Sequence, residues 1–309
     1  MSNTTTETTN SNNELEKLER NEFNQNLGLI VDSHCHLQED TENIEHSLEL
    51  PYEKMFLMGT TVEDWDRVNT LADRFNDKWK DTKTAYRSFG IHPWFVYKLQ
   101  PPQELIGQPI DTLKPDGDKY QVDNSWYDKL RENLIRYPDA IVGEIGIDKV
   151  TKVKAIGKND PHSQMIVLSK QIQLANEFNR VVSLHCVQLH GKLLDFFQAL
   201  PLQQFPPRVA LHTFGGKPST VQQFSKMKDQ KGDRFYFGLS FINLTSSKVS
   251  KLIESIPDDR LLLESDQNTP LEANESIFKV VKAISTTKKW TIKETLERTR
   301  LNALRFLAK

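Results

Sequence analysis

The sequence predicts an α/β fold, a single (β/α)8 barrel of the TIM type behind a disordered polar tail. From residue 27 onward, short apolar runs alternate with longer amphipathic stretches, which is the pattern of strands and covering helices around a parallel sheet. The runs number eight, and ionisable residues gather at their C-terminal ends. A chain of 309 residues is long enough for such a barrel in one domain.

The beginning of the chain differs from the rest. Residues 1–26 are mostly Asn, Thr, Ser, Glu and Lys, without the apolar segment of a signal peptide or membrane helix. We expect this tail to be disordered and the barrel to occupy 27–309. No later stretch approaches the roughly 18 apolar residues of a membrane helix, so the sequence predicts a protein without a membrane span.

The apolar runs have strand length, and the segments between them have helical periodicity. The runs are LGLIVDSHCH (27–36), KMFLMGTT (54–61), YRSFGIHPW (86–94), AIVGEIGID (140–148), RVVSLHCV (180–187), RVALHTFGG (208–216), RFYFGLSF (234–241) and RLLLESD (260–266). Apolar residues recur at i, i+3 and i+4 in 62–79, 163–178 and 189–200, which predicts helices there. The stretch 99–125 is rich in Pro, Gly and Asp, and we expect a loop insertion there, before a helix that starts near Trp126.

Composition limits both the partners and the compartment of the chain. Lys and Arg total 40 against 42 Asp and Glu, so there is no global basic field, and any attraction for phosphate must be local. Cys35 and Cys186 lie far apart, which favours free thiols in a reducing compartment over a disulfide. We therefore expect a cytoplasmic or nuclear protein. The sequence does not indicate an oligomeric state.

The first apolar run ends in DSHCHLQ, which places two histidines one residue apart. Side chains alternate along a strand, so His34 and His36 point to one face while Cys35 points to the other. Two imidazoles on one face can begin a divalent-metal site if further donors come from elsewhere. Taken alone, the pair is equally typical of ordinary hydrogen-bonded histidines.

The other strand ends supply those further donors. Because active sites of this fold lie at the C-terminal rim, side chains at these ends are expected to converge. Four neutral imidazoles and two carboxylates are enough for two divalent ions and leave a positive pocket that suits phosphoryl hydrolysis. Glu144 is the natural bridge between the ions, and Asp266 is able both to ligate and to accept a proton from water. The six predicted metal ligands are His34, His36, Glu144, His185, His212 and Asp266.

Seven ordered motifs together resemble the TatD-type metal-dependent deoxyribonucleases of the amidohydrolase-like barrel superfamily, in a divergent eukaryotic or fungal form. The motifs are DSHCHL at 32, GIHPW at 90, GEIGID at 143, SLHC at 183, LHTFGG at 211, LLLESD at 261 and LNALRFL at 301. The resemblance implies a barrel nuclease of the 3′–5′ exonuclease type that uses two divalent ions (Mg²⁺, Mn²⁺ or Zn²⁺) and takes nucleic acid as substrate. It implies that His34 and His36 hold one ion, Glu144 bridges, His185 and His212 hold the other, and Asp266 completes the site. It also implies three catalytic residues, Glu144, Asp266 and His92, with His92 facing the substrate phosphate.

Several positions that would face substrate depart from the family pattern. Trp94 stands where the family has a second histidine, and an aromatic there is able to stack on a base. Val187 and Gln188 stand where an arginine usually follows SLHC, so a phosphate-contacting cation is lost. Asp148 is interpreted as a partner that orients a ligand histidine. The metal ligands are kept while the substrate contacts have changed.

Four lysines after the Glu144 strand offer a local basic cluster. Lys149, Lys152, Lys154 and Lys158 lie in the loop at the predicted mouth of the barrel. They are able to follow a nucleic-acid backbone, but a solvated charged loop is the commoner reason for such a cluster.

Two other functions stay open. The same barrel and metals support amide or lactone hydrolysis or deamination in the wider superfamily. Alternatively, the chain is a weakly active scaffold that binds a protein partner through the insertion at 99–125.

Overall fold

The computed structural model describes residues 4–80, 82–99, 124–152 and 159–308, and it contains the predicted barrel. Eight strands form one sheet in the order β1 to β8, and every neighbouring pair is parallel. The strands are β1 (Val31–Cys35), β2 (Lys54–Met58), β3 (Thr84–Phe89), β4 (Ile141–Asp148), β5 (Val182–Val187), β6 (Val209–Leu211), β7 (Phe235–Leu239) and β8 (Leu261–Leu263). Seven of the eight predicted runs contain a strand, and the run 86–94 overlaps β3, so the predicted fold class is confirmed.

Two backbone hydrogen bonds join the last strand end to the first. The Asp266 N–H donates to the His34 carbonyl at 3.0 Å, and the His36 N–H donates to the Gln267 carbonyl at 2.8 Å. These bonds lie at the C-terminal rim, so they hold the end of the first strand and the segment after the last strand in fixed positions relative to each other. The closing contact of the barrel is therefore also a support for the site.

Helices cover the barrel where the sequence predicts them. The helices are α1 (Thr4–Gln25), α2 (Ile44–Ser47), α3 (Trp65–Trp79), α4 (Ser125–Arg136), α5 (Pro161–Glu177), α6 (His190–Ala199), α7 (Pro218–Ser225), α8 (Val249–Ser255), α9 (Pro270–Lys288) and α10 (Ile292–Leu307). Helix starts follow capping chemistry: Asp160 accepts from the Ser163 N–H at 3.1 Å, and Pro161 occupies the first turn of α5.

The lower interior of the barrel is apolar. Val31, Phe56, Ile141 and Leu262 are buried there, and Phe306 of α10 packs against them with its ring 6.3 Å from that of Phe56. This plug closes the N-terminal end of the barrel. The polar cluster described below lies above this plug, toward the C-terminal rim.

The structure corrects the prediction of a disordered tail. Helix α1 covers most of 1–26, and its C-terminal part packs on the barrel helices. Phe23 is buried with its ring 5.2 Å from that of Phe278, and Arg20 forms a salt bridge with Glu275 at 2.6 Å. The polar composition did not indicate this helix, because the helix packs through one aromatic side chain and ion pairs rather than through an apolar stripe.

Some expectations fall on residues outside the described ranges. The predicted insertion at 99–125 lies almost wholly in 100–123, which the structure does not describe. Lys154 and Lys158 of the lysine cluster also lie outside the described residues. Both cysteines are free, and Cys35 is buried. Within the described ranges, no helix combines the length and apolar character needed to cross a membrane.

Candidate metal centre

Six predicted ligands meet above the apolar plug. His34 lies in β1 and His36 follows it, and Glu144 and His185 lie in β4 and β5. His212 directly follows β6, and Asp266 lies three residues after the end of β8. Each is buried or nearly so, with Glu144 only 3% exposed. The C-terminal ends of parallel strands meet at one rim, so residues as far apart in sequence as His34 and Asp266 become neighbours.

Glu144 stands between two pairs of histidines. Its Oε2 lies 3.3 Å from the Nε2 atoms of both His34 and His36. Its Oε1 lies 3.0 Å from His185 Nδ1 and 3.6 Å from His212 Nε2. One oxygen therefore faces each pair, which is the geometry that a carboxylate bridging two cations requires.

Asp266 completes the cluster from the opposite wall. Its Oδ1 lies 3.7 Å from His212 Nε2 and 4.0 Å from His34 Nε2, while Thr213 Oγ1 donates to its Oδ2 at 3.1 Å. Both Asp266 and Thr213 have left-handed backbone conformations, with φ of 53° and 41°. Such conformations are costly for these residues and are found where a site fixes the direction of a side chain.

Outer hydrogen bonds turn the imidazoles toward the centre. His36 Nδ1 donates to the Met58 carbonyl at 3.1 Å, and His212 Nδ1 donates to Glu264 Oε2 at 3.2 Å. His185 Nε2 lies 3.3 Å from Asp148 Oδ2, as expected for an orienting partner. A neutral imidazole has one N–H, so donation outward leaves the inner nitrogen with its lone pair free for a metal ion.

His92 lies in the same cluster, but its proton is on the nitrogen that faces the centre, unlike the protons of His36 and His212 that point outward. Its Nδ1 accepts from the Trp94 backbone N–H at 3.2 Å, so the neutral ring holds its proton on Nε2. That atom lies 3.3 Å from Glu144 Oε1. The atoms of His92, Glu144 and His185 are close enough for a metal ion, but this tautomer makes His92 a donor.

Burial and charge act in opposite directions on the pKa values of the cluster. Burial lowers the pKa of His34 well below its usual range. Burial opposes charge on His212 too, but nearby carboxylates, Asp266 and Glu144 first, raise its pKa to about 10. Burial would raise the pKa of Glu144, yet the surrounding imidazoles lower it well below its usual range. The carboxylates thus create a potential that favours positive charge, and the donor set fits Mg²⁺, Mn²⁺ or Zn²⁺.

Two buried carboxylates beneath the ligands were missed by the sequence analysis. Glu264 is fully buried and accepts from the His212 ring and from the Thr213 N–H at 2.8 Å. Asp32 is fully buried and accepts from the Ser265 N–H at 2.9 Å. Glu264 precedes Asp266 by two residues and Asp32 precedes His34 by two, so strand alternation was the available signal for both.

A cavity of about 470 Å³ opens from the cluster to solvent. Its upper wall includes Trp94, Val187 and Ile242. The Trp94 indole N–H donates to Asp148 Oδ2 at 2.6 Å, which links this departure from the family pattern to the partner of His185. Lys149 is exposed on the loop after β4, but the residues that line the cavity include no Lys or Arg within the described part of the chain.

A parallel barrel whose rim gathers four imidazoles and two carboxylates is the architecture of a metal-dependent hydrolase. The family model described as TatD related DNase matches residues 31–308, and the chain belongs to that family. It is 28% identical to the Cut9-interacting protein scn1 of Schizosaccharomyces pombe, over 90% of this chain and 98% of the relative. It is 26% identical to the 3′-5′ ssDNA/RNA exonuclease TatD of Klebsiella pneumoniae, over 64% of this chain and 75% of the relative.

Solved structures confirm the fold. The Escherichia coli TatD homolog YjjV superposes with a TM-score of 0.64 at 20% identity, covering 91% of this chain and 98% of that chain. A TatD family hydrolase from Entamoeba histolytica superposes with a TM-score of 0.65 at 14% identity, covering 90% and 97%.

Proposed function

We propose that this chain hydrolyses phosphodiester bonds and acts as a deoxyribonuclease that removes nucleotides from a 3′ end. The observation that carries the proposal is the orientation of the imidazoles around Glu144. His36 and His212 each donate outward to a fixed oxygen and present the other nitrogen to the centre. The inner nitrogens of His36 and His212 lie 3.3 to 3.7 Å from oxygens of Glu144 or Asp266, so nitrogen and carboxylate donors converge on one buried spot. A divalent ion would take the place of the protons that these groups share.

The same side chains that the sequence analysis singled out would hold two divalent ions. His34 and His36 would hold one ion, His185 and His212 the other, Glu144 would bridge them, and Asp266 would complete the site. When bound, the two ions would supply Lewis-acid charge that stabilises a phosphoryl transition state and lowers the pKa of a water.

The chain's own residues then have distinct tasks. Asp266 would accept the proton of the attacking water, because its Oδ1 faces the centre while Thr213 Oγ1 holds its other oxygen. His92 would donate its Nε2 proton to a phosphate oxygen, since its Nδ1 is engaged by the Trp94 N–H. Glu144 keeps its charge in both tasks because the imidazoles around it hold its pKa low.

The family supports phosphodiester chemistry over the amide or lactone alternative. A relative is named as a 3′-5′ ssDNA/RNA exonuclease, and we extend that polarity to this chain as part of the proposal. The choice between Mg²⁺, Mn²⁺ and Zn²⁺ depends on supply as well as geometry.

A substrate screen with purified protein tests this function. We expect mononucleotide release from 3′-labelled single strands in the presence of one of the three metals, and loss of release after chelation or in Glu144→Ala. Asp258→Asn, an exposed carboxylate on the opposite side of β8, is the matched control. Turnover confined to uncharged amides or lactones would contradict the proposal, and elemental analysis of the same sample counts the ions.

A protein partner is a second proposal, carried by a relative's name. The relative scn1 is named as Cut9-interacting and matches along 90% of this chain. The expected contact segment, 99–125, lies almost wholly outside the described residues. Deleting 100–123 should abolish partner capture while leaving metal content intact, and capture that survives the deletion would place the contact elsewhere. Fluorescent tagging would test the expected cytoplasmic or nuclear location.

A further inference from the structure

The mouth of the cavity is the part lined by Trp94, Val187 and Ile242, and it is apolar. The floor is formed by the cluster around Glu144, and it is charged. Trp94 and Ile242 both line the cavity and remain 48% and 46% exposed. Trp94 follows β3 and Ile242 follows β7, which lie four strands apart in the ring of eight, so the two side chains stand on opposite walls. Large apolar side chains exposed beside a cluster of donors are typical of a ligand site.

The indole of Trp94 is held in one orientation. Its Nε1–H donates to Asp148 Oδ2 at 2.6 Å. The rings of His92 and His185 lie 4.8 and 6.0 Å from it at interplanar angles of 87° and 76°. The side chain is nevertheless about half exposed, so part of the ring surface stays open to solvent. A flat ring fixed before the ligand arrives loses little entropy on binding.

We propose that Trp94 is the stacking platform for the terminal base of a single-stranded nucleic acid. This inference rests on the proposed nuclease function and names the feature of the substrate that the site recognises. The scissile phosphate would lie over Glu144, and the attached base would lie on the indole at the cavity wall. A base inside a duplex is covered on both faces, and a base at a blunt end is still held by its pairing partner, whereas an unpaired end presents a base that is free to lie on the indole.

The charge distribution at the mouth favours recognition by base stacking over contacts that follow the phosphate backbone. The cavity-lining residues described by the structure include no Lys or Arg, and Val187 stands where the family has an arginine. Affinity must then come from the centre and from stacking, which every base can supply. The site should therefore tolerate any base but require that one is present.

Binding measurements on the metal-loaded full chain test the platform. Isothermal titration would compare a deoxynucleoside 5′-monophosphate with 2-deoxyribose 5-phosphate, which differs only by the base. We expect the nucleotide to bind about 10- to 100-fold tighter, a ratio within the range of base–aromatic stacking, and the four bases to differ only a few-fold. Trp94→Ala should collapse the ratio toward one.

Trp94→Phe separates stacking from positioning. Phenylalanine keeps an aromatic face but cannot donate to Asp148, so the ratio should remain well above that of Trp94→Ala. Equal loss in both variants would mean that the indole acts only by orienting Asp148, and it would overturn the platform. Leu301→Ala, an exposed apolar side chain of α10, is the control and should keep the wild-type ratio.

The two proposals fail in different ways. Hydrolysis of single strands together with a ratio near one in the wild type would overturn the platform and leave the nuclease function standing. A high ratio that depends on Trp94, without hydrolysis of any nucleic acid, would support the platform as a binding feature and overturn the nuclease function.

Discussion

The floor and the mouth of the cavity are built on different principles. On the floor, each oriented ligand has a second bond behind it: Met58 O behind His36, Glu264 behind His212, and Asp148 near His185. At the mouth, Trp94 and Ile242 are half exposed. The floor is fixed by cooperating polar contacts, whereas the mouth is more exposed and is linked to the floor by the bond from Trp94 to Asp148.

The difference explains where this chain keeps the family pattern and where it leaves it. A changed floor residue leaves a buried polar partner unsatisfied, at a cost of roughly 1–3 kcal/mol or more. A changed mouth residue without a polar bond, such as Val187, exchanges one solvated contact for another. We therefore expect the floor to fix the type of reaction and the mouth to set the choice of substrate.

The largest expected effect comes from Asp266→Asn on the floor. An amide cannot accept the proton of the attacking water, so we expect kcat to fall by about 10²- to 10⁴-fold. Steady-state kinetics on a single-stranded substrate measure this, with Asp258→Asn as the matched control. A fall of less than tenfold would mean that another group accepts the proton.

Asp32→Asn tests how much the buried Asp32 carboxyl group lowers the free energy of unfolding. Burial raises the pKa of Asp32 to about 7, with Glu264 adding to the effect, although hydrogen bonds from Ser265 act the other way. A raised carboxyl pKa in the folded state destabilises the fold as pH rises, because the unfolded chain releases this proton first, near pH 4. In metal-free protein, the stability of Asp32→Asn relative to wild type should therefore increase between pH 4 and 7 by on the order of 3 kcal/mol.

Urea unfolding across that pH range measures the difference. Asp233→Asn, at an exposed carboxylate, provides the control and should show no such trend. A difference in unfolding free energy that stays constant from pH 4 to 7 would contradict the buried, protonated carboxyl. Added divalent metal should reduce the effect, because a nearby cation favours the ionised form.

Glu264→Gln should weaken the floor through His212. The carboxylate accepts from the His212 ring and the Thr213 N–H, and loss of such a partner typically lowers metal affinity by about 10- to 100-fold. Gly238→Ala should act in the same direction without removing the charge, since its Cβ would lie 1.8 Å from Glu264 Oε1. Competition with a chelator measures both, and unchanged affinity in both variants would remove Glu264 from the site's support.

The sequence predicted the parts of the molecule that depend on residue type and period. Each of the eight apolar runs contains or overlaps a strand, and the six donors meet because parallel strands share a rim. Helix α1 was missed because Phe23 and ion pairs anchor it without an apolar period. The bond from Trp94 to Asp148 joins positions 54 apart, and nothing in either local pattern indicates it. Periodicity reports burial, but it does not report which polar atoms pair.

The smallest effect, and the sharpest test of the mouth, is Val187→Arg. Val187 lines the cavity at the end of β5. An arginine there would supply the cation that the family resemblance leads us to expect at this position. One added phosphate contact should make the slope of log affinity against log salt more negative by about 0.7 for a single strand. Val187→Gln is the control of similar length without charge, and an equal slope in both variants would show that no phosphate passes this wall. If base stacking and phosphate contact act separately, combining Val187→Arg with Trp94→Ala should give additive changes in binding free energy.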